Sequence, residues 1–193
     1  MSLTHSSISS LLCLYCYLNN PNLLSHPLEG HDTPTRMLVA FSWGYFLHDL
    51  VHTLICRKIK NSWDILIHHL VVLACHGLSL HQDMYINFSC VSLFCEANSV
   101  FLHWRQLLKM SSCPDDRFQF RLVKVMNILT FLAVRIPSLG YLSVTVLKVK
   151  EAVHWLPFYT GLIGGVIMNV VNVILLYRLL KADVFSSKVR KVD

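Results

Sequence analysis

SWDILIHHLVVLACHGLSL, residues 62–80, is the stretch whose reading decides the fold. From Trp63 to about Leu80 it is a largely apolar run near the length a helix needs to cross a bilayer, with Trp63 suited to the interface. Yet it opens with a carboxylate and two adjacent imidazoles, Asp64, His68 and His69. A helix places Asp64 and His68 on one face at i,i+4, so the carboxylate is expected to hold one ring nitrogen and leave the other aimed at a partner. His69 points to another side and shares a stripe with His76. Polar groups at membrane depth are costly, and a chain keeps them there for a function or a buried partner.

Further apolar runs lie on both sides. Upstream, Met37–Cys56 reads as a strong span closed by Arg57, Lys58 and Lys60, with His48, Asp49 and His52 inside it. Before it comes a linker, residues 19–36, rich in proline and turn formers, and a short first run, Ser9–Leu18, marginal for a full span. That first run is expected to be a shallow helix or the second half of a hairpin. It lacks the basic start of a secretory signal and reads as retained. Downstream, HQD leads into Met84–Trp104, which carries Glu96, Asn98 and His103. Residues 105–121 form a basic and polar loop. Leu122–Leu147 follows with Asn127, Arg135 and a Pro137 expected to kink it. The last run, Val153–Leu180, contains GLIGG, whose Gly161 to Gly165 spacing predicts a close helix contact.

Composition points the same way. The 193 residues are 54% hydrophobic and 15% charged, with a mean hydropathy of +0.49, too apolar for an ordinary soluble domain. The expected fold is an all-α polytopic membrane bundle of five to six helices, one domain over 1–186 with a basic cytoplasmic tail at 187–193. The net charge of +6 does not imply nucleic acid, because the basic residues sit at the ends of apolar runs. On a six-run topology thirteen of the seventeen Lys and Arg fall on one side and three on the other, with Arg135 inside a span. That partition predicts that both termini face the cytoplasm. The seven cysteines are odd in number and mostly lie in apolar runs, so they are expected to be reduced and structural. CLYC at 13–16 has redox spacing without the βαβ setting such a motif needs.

Four polar sets fall in four runs: His48, Asp49 and His52; Asp64, His68 and His69; Glu96, Asn98 and His103; Asn127 and Arg135. If their helices turn these faces inward, an apolar bundle encloses a polar cavity fit for a lipid head group, with its chain between helices. Imidazoles beside carboxylates suit general base work, and His68 or His69 can accept an acyl group transiently, which makes His68, His69, Asp49 and Glu96 the catalytic candidates. The competing reading is a set of interhelical clamps, Asp64 with His68, and Glu96 or Asp49 with Arg135. His48 and His52 have zinc-compatible spacing, but HDLVH lacks the glutamate of HExxH, so no metal is expected. No GxxxxGK[ST] loop is present, and the sequon at Asn87 lies at the mouth of a span and is expected to be unused.

SWGYFLHDL at 42–50, SWDILIHHLVV at 62–72, CEANSVFLHWRQLLKM at 95–110 and the Asn127–Arg135 segment resemble the successive motifs of the TLC-domain membrane proteins. That family includes the ceramide synthases, the translocating-chain-associated membrane protein and a ceroid-lipofuscinosis protein. The resemblance covers residues 41–184 and is strongest to the small calfacilitin-like branch. It implies a TLC bundle in the plasma membrane in preference to the endoplasmic reticulum. It also implies control of phospholipid acyl composition and membrane fluidity, phosphatidylethanolamine and polyunsaturated chains above all, with membrane lipids as partners. No cofactor is required. In the ceramide synthases the paired histidines serve acyl transfer from acyl-CoA, and the matching positions are His68 and His69. The acidic motif that follows the pair in those enzymes is missing, and Glu96 and Asn98 stand in a different pattern, which argues against ceramide synthesis. His52 stands where relatives tend to carry an acidic residue. Two other functions remain open: an acyl-CoA-dependent acyltransferase, and a protein that modulates a channel or another membrane protein.

Overall fold

The computed structural model describes residues 2–29, 31–56, 63–112, 114 and 117–185. The basic cluster Arg57, Lys58 and Lys60, the loop residues Cys113, Asp115 and Asp116, and the tail with Lys188, Arg190 and Lys191 lie outside the described residues. The described chain is helical without strands: α1 (Ser2–Asn19), α2 (Asn22–Ser25), α3 (Thr33–Cys56), α4 (Trp63–Gln82), α5 (Ile86–Leu93), α6 (Glu96–Met110), α7 (Phe118–Thr130), α8 (Ile136–Lys148) and α9 (Trp155–Leu180). Five-residue π-helical turns join α7 to α8 at Phe131–Arg135 and extend α9 at Lys181–Phe185.

Among the described residues, three helical stretches are long and apolar enough to cross a membrane: Trp63–Gln82, Phe118–Lys148 and Trp155–Asp183. α3 is long enough, but His48, Asp49 and His52 make it more polar than these three. The bundle is inverted relative to a soluble domain. Serines, threonines, asparagines, histidines and Arg135 fill the interior beside Phe46, Leu93 and Phe131, while large aliphatic side chains such as Ile55, Ile163, Val166 and Val173 face outward. Lipid is as apolar as leucine, so helices gain by burying small and polar groups against one another.

α3 starts at Thr33, four residues before the expected boundary, because Asp32 caps it. The Asp32 carboxylate accepts the Thr35 N–H at 2.9 Å and the Thr35 hydroxyl. Partial burial opposes its ionisation, but these bonds and one from the Asn20 side chain outweigh that and hold the carboxyl below its ordinary range. The stabilisation is therefore present above the unfolded carboxyl value and fades as pH falls through the lowered folded one. Asp32→Ala is expected to cost about 1 kcal/mol near neutral pH. Thermal melts at neutral and acidic pH check it, the difference from wild type shrinking at the lower pH.

Two predicted runs are irregular. Met84–Trp104 is broken at Phe94–Cys95, where the amides of Phe94 and Cys95 bond three residues back to Val91 and Ser92. In the fifth run, the π-helical turn ends two residues before Pro137, where widened backbone accommodates a residue that cannot donate an N–H. α1 is longer than the expected first run: it starts at Ser2 and packs on α3, α5 and α6. Its Cys13 thiol lies 3.6 Å from that of Cys90 on α5, and the six described cysteines are free. α3 and α4 meet closely where Trp43 Nε1 donates to the Leu73 carbonyl at 3.0 Å. A Cβ at position 77 would fall 3.0 Å from that nitrogen, which explains Gly77.

Candidate functional site

α4 and α9 run antiparallel, with Asp64 Oδ2 accepting from Arg178 Nη1 at 2.6 Å at one end and Gly164 set against Val71 and Cys75 further along. Between them, α5 and α8 leave a cavity of about 240 Å³. Its walls are mostly apolar, supplied by residues such as Val72, Leu93, Leu142 and Leu162. One region is polar and brings together His68, Glu96, Arg135 and Asn172 from four parts of the chain. His68, Glu96 and Arg135 therefore line one chamber, while Asp49 and His69 do not.

Each polar group there is set by local structure. The break between α5 and α6 puts Glu96 in the first turn of α6, where Oε2 accepts from Ser6 of α1 at 2.5 Å. Arg135 closes the π-helical turn and is 8% exposed. Its Nη1 donates to Asn172 Oδ1 at 3.0 Å, and its Nη2 donates to Ser99 Oγ at 2.8 Å and to the Cys95 carbonyl at 3.4 Å. Its Nε has no protein acceptor. The guanidinium is thus held by neutral groups, not by the carboxylate partner expected of a clamp. On α4, His76 bonds Ser92 at 2.8 Å, and Phe46 of α3 packs against His68, His69 and His76 with ring centroids 5.7 to 6.2 Å apart.

The other expected cavity residues are placed elsewhere. His69 points to α3, its Nε2 3.4 Å from Asp49 Oδ2, and does not line the cavity that His68 enters. Asp64 is turned to Arg178 of α9 and not to the imidazole one turn along. His48 and His52 are exposed on the outer face of α3, rings stacked at 6.4 Å, because Phe46, Leu50 and Thr53 occupy its inner face. Asn98 is fully buried between α6 and α7, donating to the Asn127 carbonyl, Asn127 Oδ1 and Thr130 Oγ1 at 2.9 to 3.0 Å. His103, half-buried, does not line the cavity. Gly161 and Gly165 do not form the tight pair their spacing implied; the close approach belongs to Gly164. Asn87 is buried, its amide donating to the carbonyls of His26 and Glu29, which leaves the sequon nitrogen engaged inside the protein.

The TLC domain profile matches residues 1–181. The chain belongs to the TLC-domain family. It is 32% identical over 190 residues to TLC domain-containing protein 2 of Danio rerio, covering 98% of this chain and 77% of that protein. It is 33% identical to the human protein of the same name over 97% of this chain and 71% of the relative. With human TLC domain-containing protein 1 the identity is 25%, covering 99% and 76%. No solved structure matches. The TLC domain therefore takes in α1, beyond the motif-bearing residues 41–184.

α1 supplies the site residues that sequence reasoning missed. Ser6 holds Glu96, His5 lies flat on Tyr45 with centroids 3.8 Å apart, and Ser9 joins His5 to Ser42 at 3.0 and 3.3 Å. A signal was present: His5, Ser9, Cys13 and Cys16 recur every three or four residues and are all buried, a small and polar stripe along one helix face.

Proposed function

We propose that this integral membrane TLC-domain protein regulates the acyl composition of membrane phospholipids, and with it fluidity, by holding a lipid or acyl chain in the cavity between α4, α5, α8 and α9. Phosphatidylethanolamine and its polyunsaturated chains are the main target, and the plasma membrane is its location, both termini cytoplasmic. One observation carries the reading: an intramembrane cavity with aliphatic walls collects His68, Glu96 and Arg135 in one region. Apolar walls with a few convergent polar groups suit an amphiphile, tail along the walls and polar part among the hydrogen-bonding groups. Removing the protein from cells should change the polyunsaturated content of phosphatidylethanolamine, and re-expression should restore it. An unchanged lipid profile overturns the proposal.

A second reading is acyl transfer from acyl-CoA, favoured by His68, which lines the chamber together with Glu96, whereas the other lining imidazole, His76, is bonded to Ser92. A His68 nitrogen attacks the thioester carbonyl, the C–S bond breaks, and coenzyme A leaves as the thiol with the displaced proton. The acyl-imidazole then passes its acyl group to a hydroxyl or amine, whose proton returns to the ring. In this scheme His69, held against Asp49, orients α4 against α3. With purified protein and acyl-CoA, His68→Ala is expected to lower product formation on the order of a hundredfold or more, while His69→Ala acts through stability. Turnover by His68→Ala at the wild-type rate removes the imidazole from the chemistry.

A further inference from the structure

The cavity does not end blindly. A second, smaller chamber of about 50 Å³ lies beyond its apolar end, lined by Leu28, Leu78, Val153, Pro157 and Phe158 among others. The two chambers share four wall residues: Cys75 of α4, Phe88 of α5, Val146 of α8 and Gly161 of α9. These four form the boundary between the chambers, one from each surrounding helix. Phe88 has by far the largest side chain of the set.

Distances along α9 give the dimensions. From Asn172, which holds Arg135, to Gly161 at the boundary is eleven residues, about 16 Å of helix rise. From Gly161 to Pro157 in the second chamber is four more, about 6 Å. The first chamber is therefore long enough for one extended hydrocarbon chain. Its polar region offers Arg135, which lines the cavity and is 8% exposed. A guanidinium beside apolar walls is a charge-assisted donor for a ligand carbonyl or carboxyl oxygen.

Resting on the lipid-holding reading above, we infer that the cavity takes a single acyl chain with its carbonyl or carboxyl oxygen at Arg135 and its methyl end at the Phe88 boundary, and that Phe88 sets the chain length accepted. A chain that ends at Phe88 fills the first chamber. A longer one must displace the phenyl ring or fold back, and the second chamber supplies room for several further methylenes once that ring is gone. Each methylene moved from water into such a wall is worth about a fourfold change in affinity.

The full chain, purified in detergent and stripped of lipid, is titrated with saturated fatty acids of increasing even chain length, binding being read by native mass spectrometry. Wild type should show an optimum length and a fall beyond it. Phe88→Ala should move that optimum to longer chains, the ratio of long to short rising about fourfold per added methylene. Gly161→Leu narrows the boundary from α9 and should move the optimum to shorter chains, which keeps the test open if Phe88→Ala does not fold. A wild type that binds no fatty acid overturns the lipid-holding reading itself. Wild-type binding with an unchanged optimum in both variants overturns Phe88 as the length-setting residue and leaves that reading standing.

Discussion

Arg135→Ala is expected to lower stability by about 2–4 kcal/mol, because three acceptors that one guanidinium now serves would each lose a donor at roughly 1 kcal/mol apiece. Those acceptors are Asn172 Oδ1, Ser99 Oγ and the Cys95 carbonyl, and they tie the π-helical turn to α9 and to the break before α6. The aliphatic stem is also lost from a contact in which the guanidinium lies 5.8 Å from the Phe131 ring centroid. Water cannot take over the vacated positions at membrane depth as it does on a soluble surface. Arg135→Lys should recover only part of the loss, since a single ammonium lacks the planar fork that reaches several acceptors at once. Thermal unfolding in detergent measures the order wild type, lysine, alanine. An alanine variant that melts with wild type removes Arg135 as the structural centre of the polar region.

Gly164→Leu is the second large effect, about 1–3 kcal/mol of overpacking together with loss of lipid from the cavity. A Cβ at this position would lie 3.1 Å from both Cys75 Sγ and Val71 Cγ1, so even alanine requires α4 to give by a few tenths of an ångström. Leucine adds three further carbons against α4 and into the cavity wall. α9 can accommodate them only by moving away from α4, which strains the Asp64–Arg178 pair at the end of the same interface. Gly165→Ala is the control: one residue on, a Cβ would meet nothing within 4 Å. Adding Cys75→Ala to Gly164→Leu should return part of the stability by removing one of the two obstructing atoms. Equal melting of the Gly164→Leu and Gly165→Ala proteins contradicts the close packing of α4 on α9.

Hydropathy and motif order were enough to place this chain in a membrane and in its family. The boundaries of the third and last runs, Trp63 and Leu180, follow from apolar stretches that end in polar or basic residues. The break at Phe94–Cys95 was not legible, because no proline or glycine marks it; the Cys95 carbonyl finds its donor in Arg135, forty residues away. The inward face of α1 was legible only as a stripe of serines and cysteines, whose partners on α3, α5 and α6 are remote in sequence.

Of the candidate site, His68, Glu96 and Arg135 share the cavity, while His48, His52, Asp64 and Asn98 do not. The amino-acid order by itself determined that helices cross a bilayer and carry costly polar groups, because bilayer depth is read from apolar length. Tertiary structure alone decided which of those groups face each other. In a soluble helix the apolar stripe marks the inside, but here apolar side chains also face outward and many small or polar ones fill the interior. Orientation about the helix axis is then set by hydrogen bonds and close packing between segments far apart in the chain.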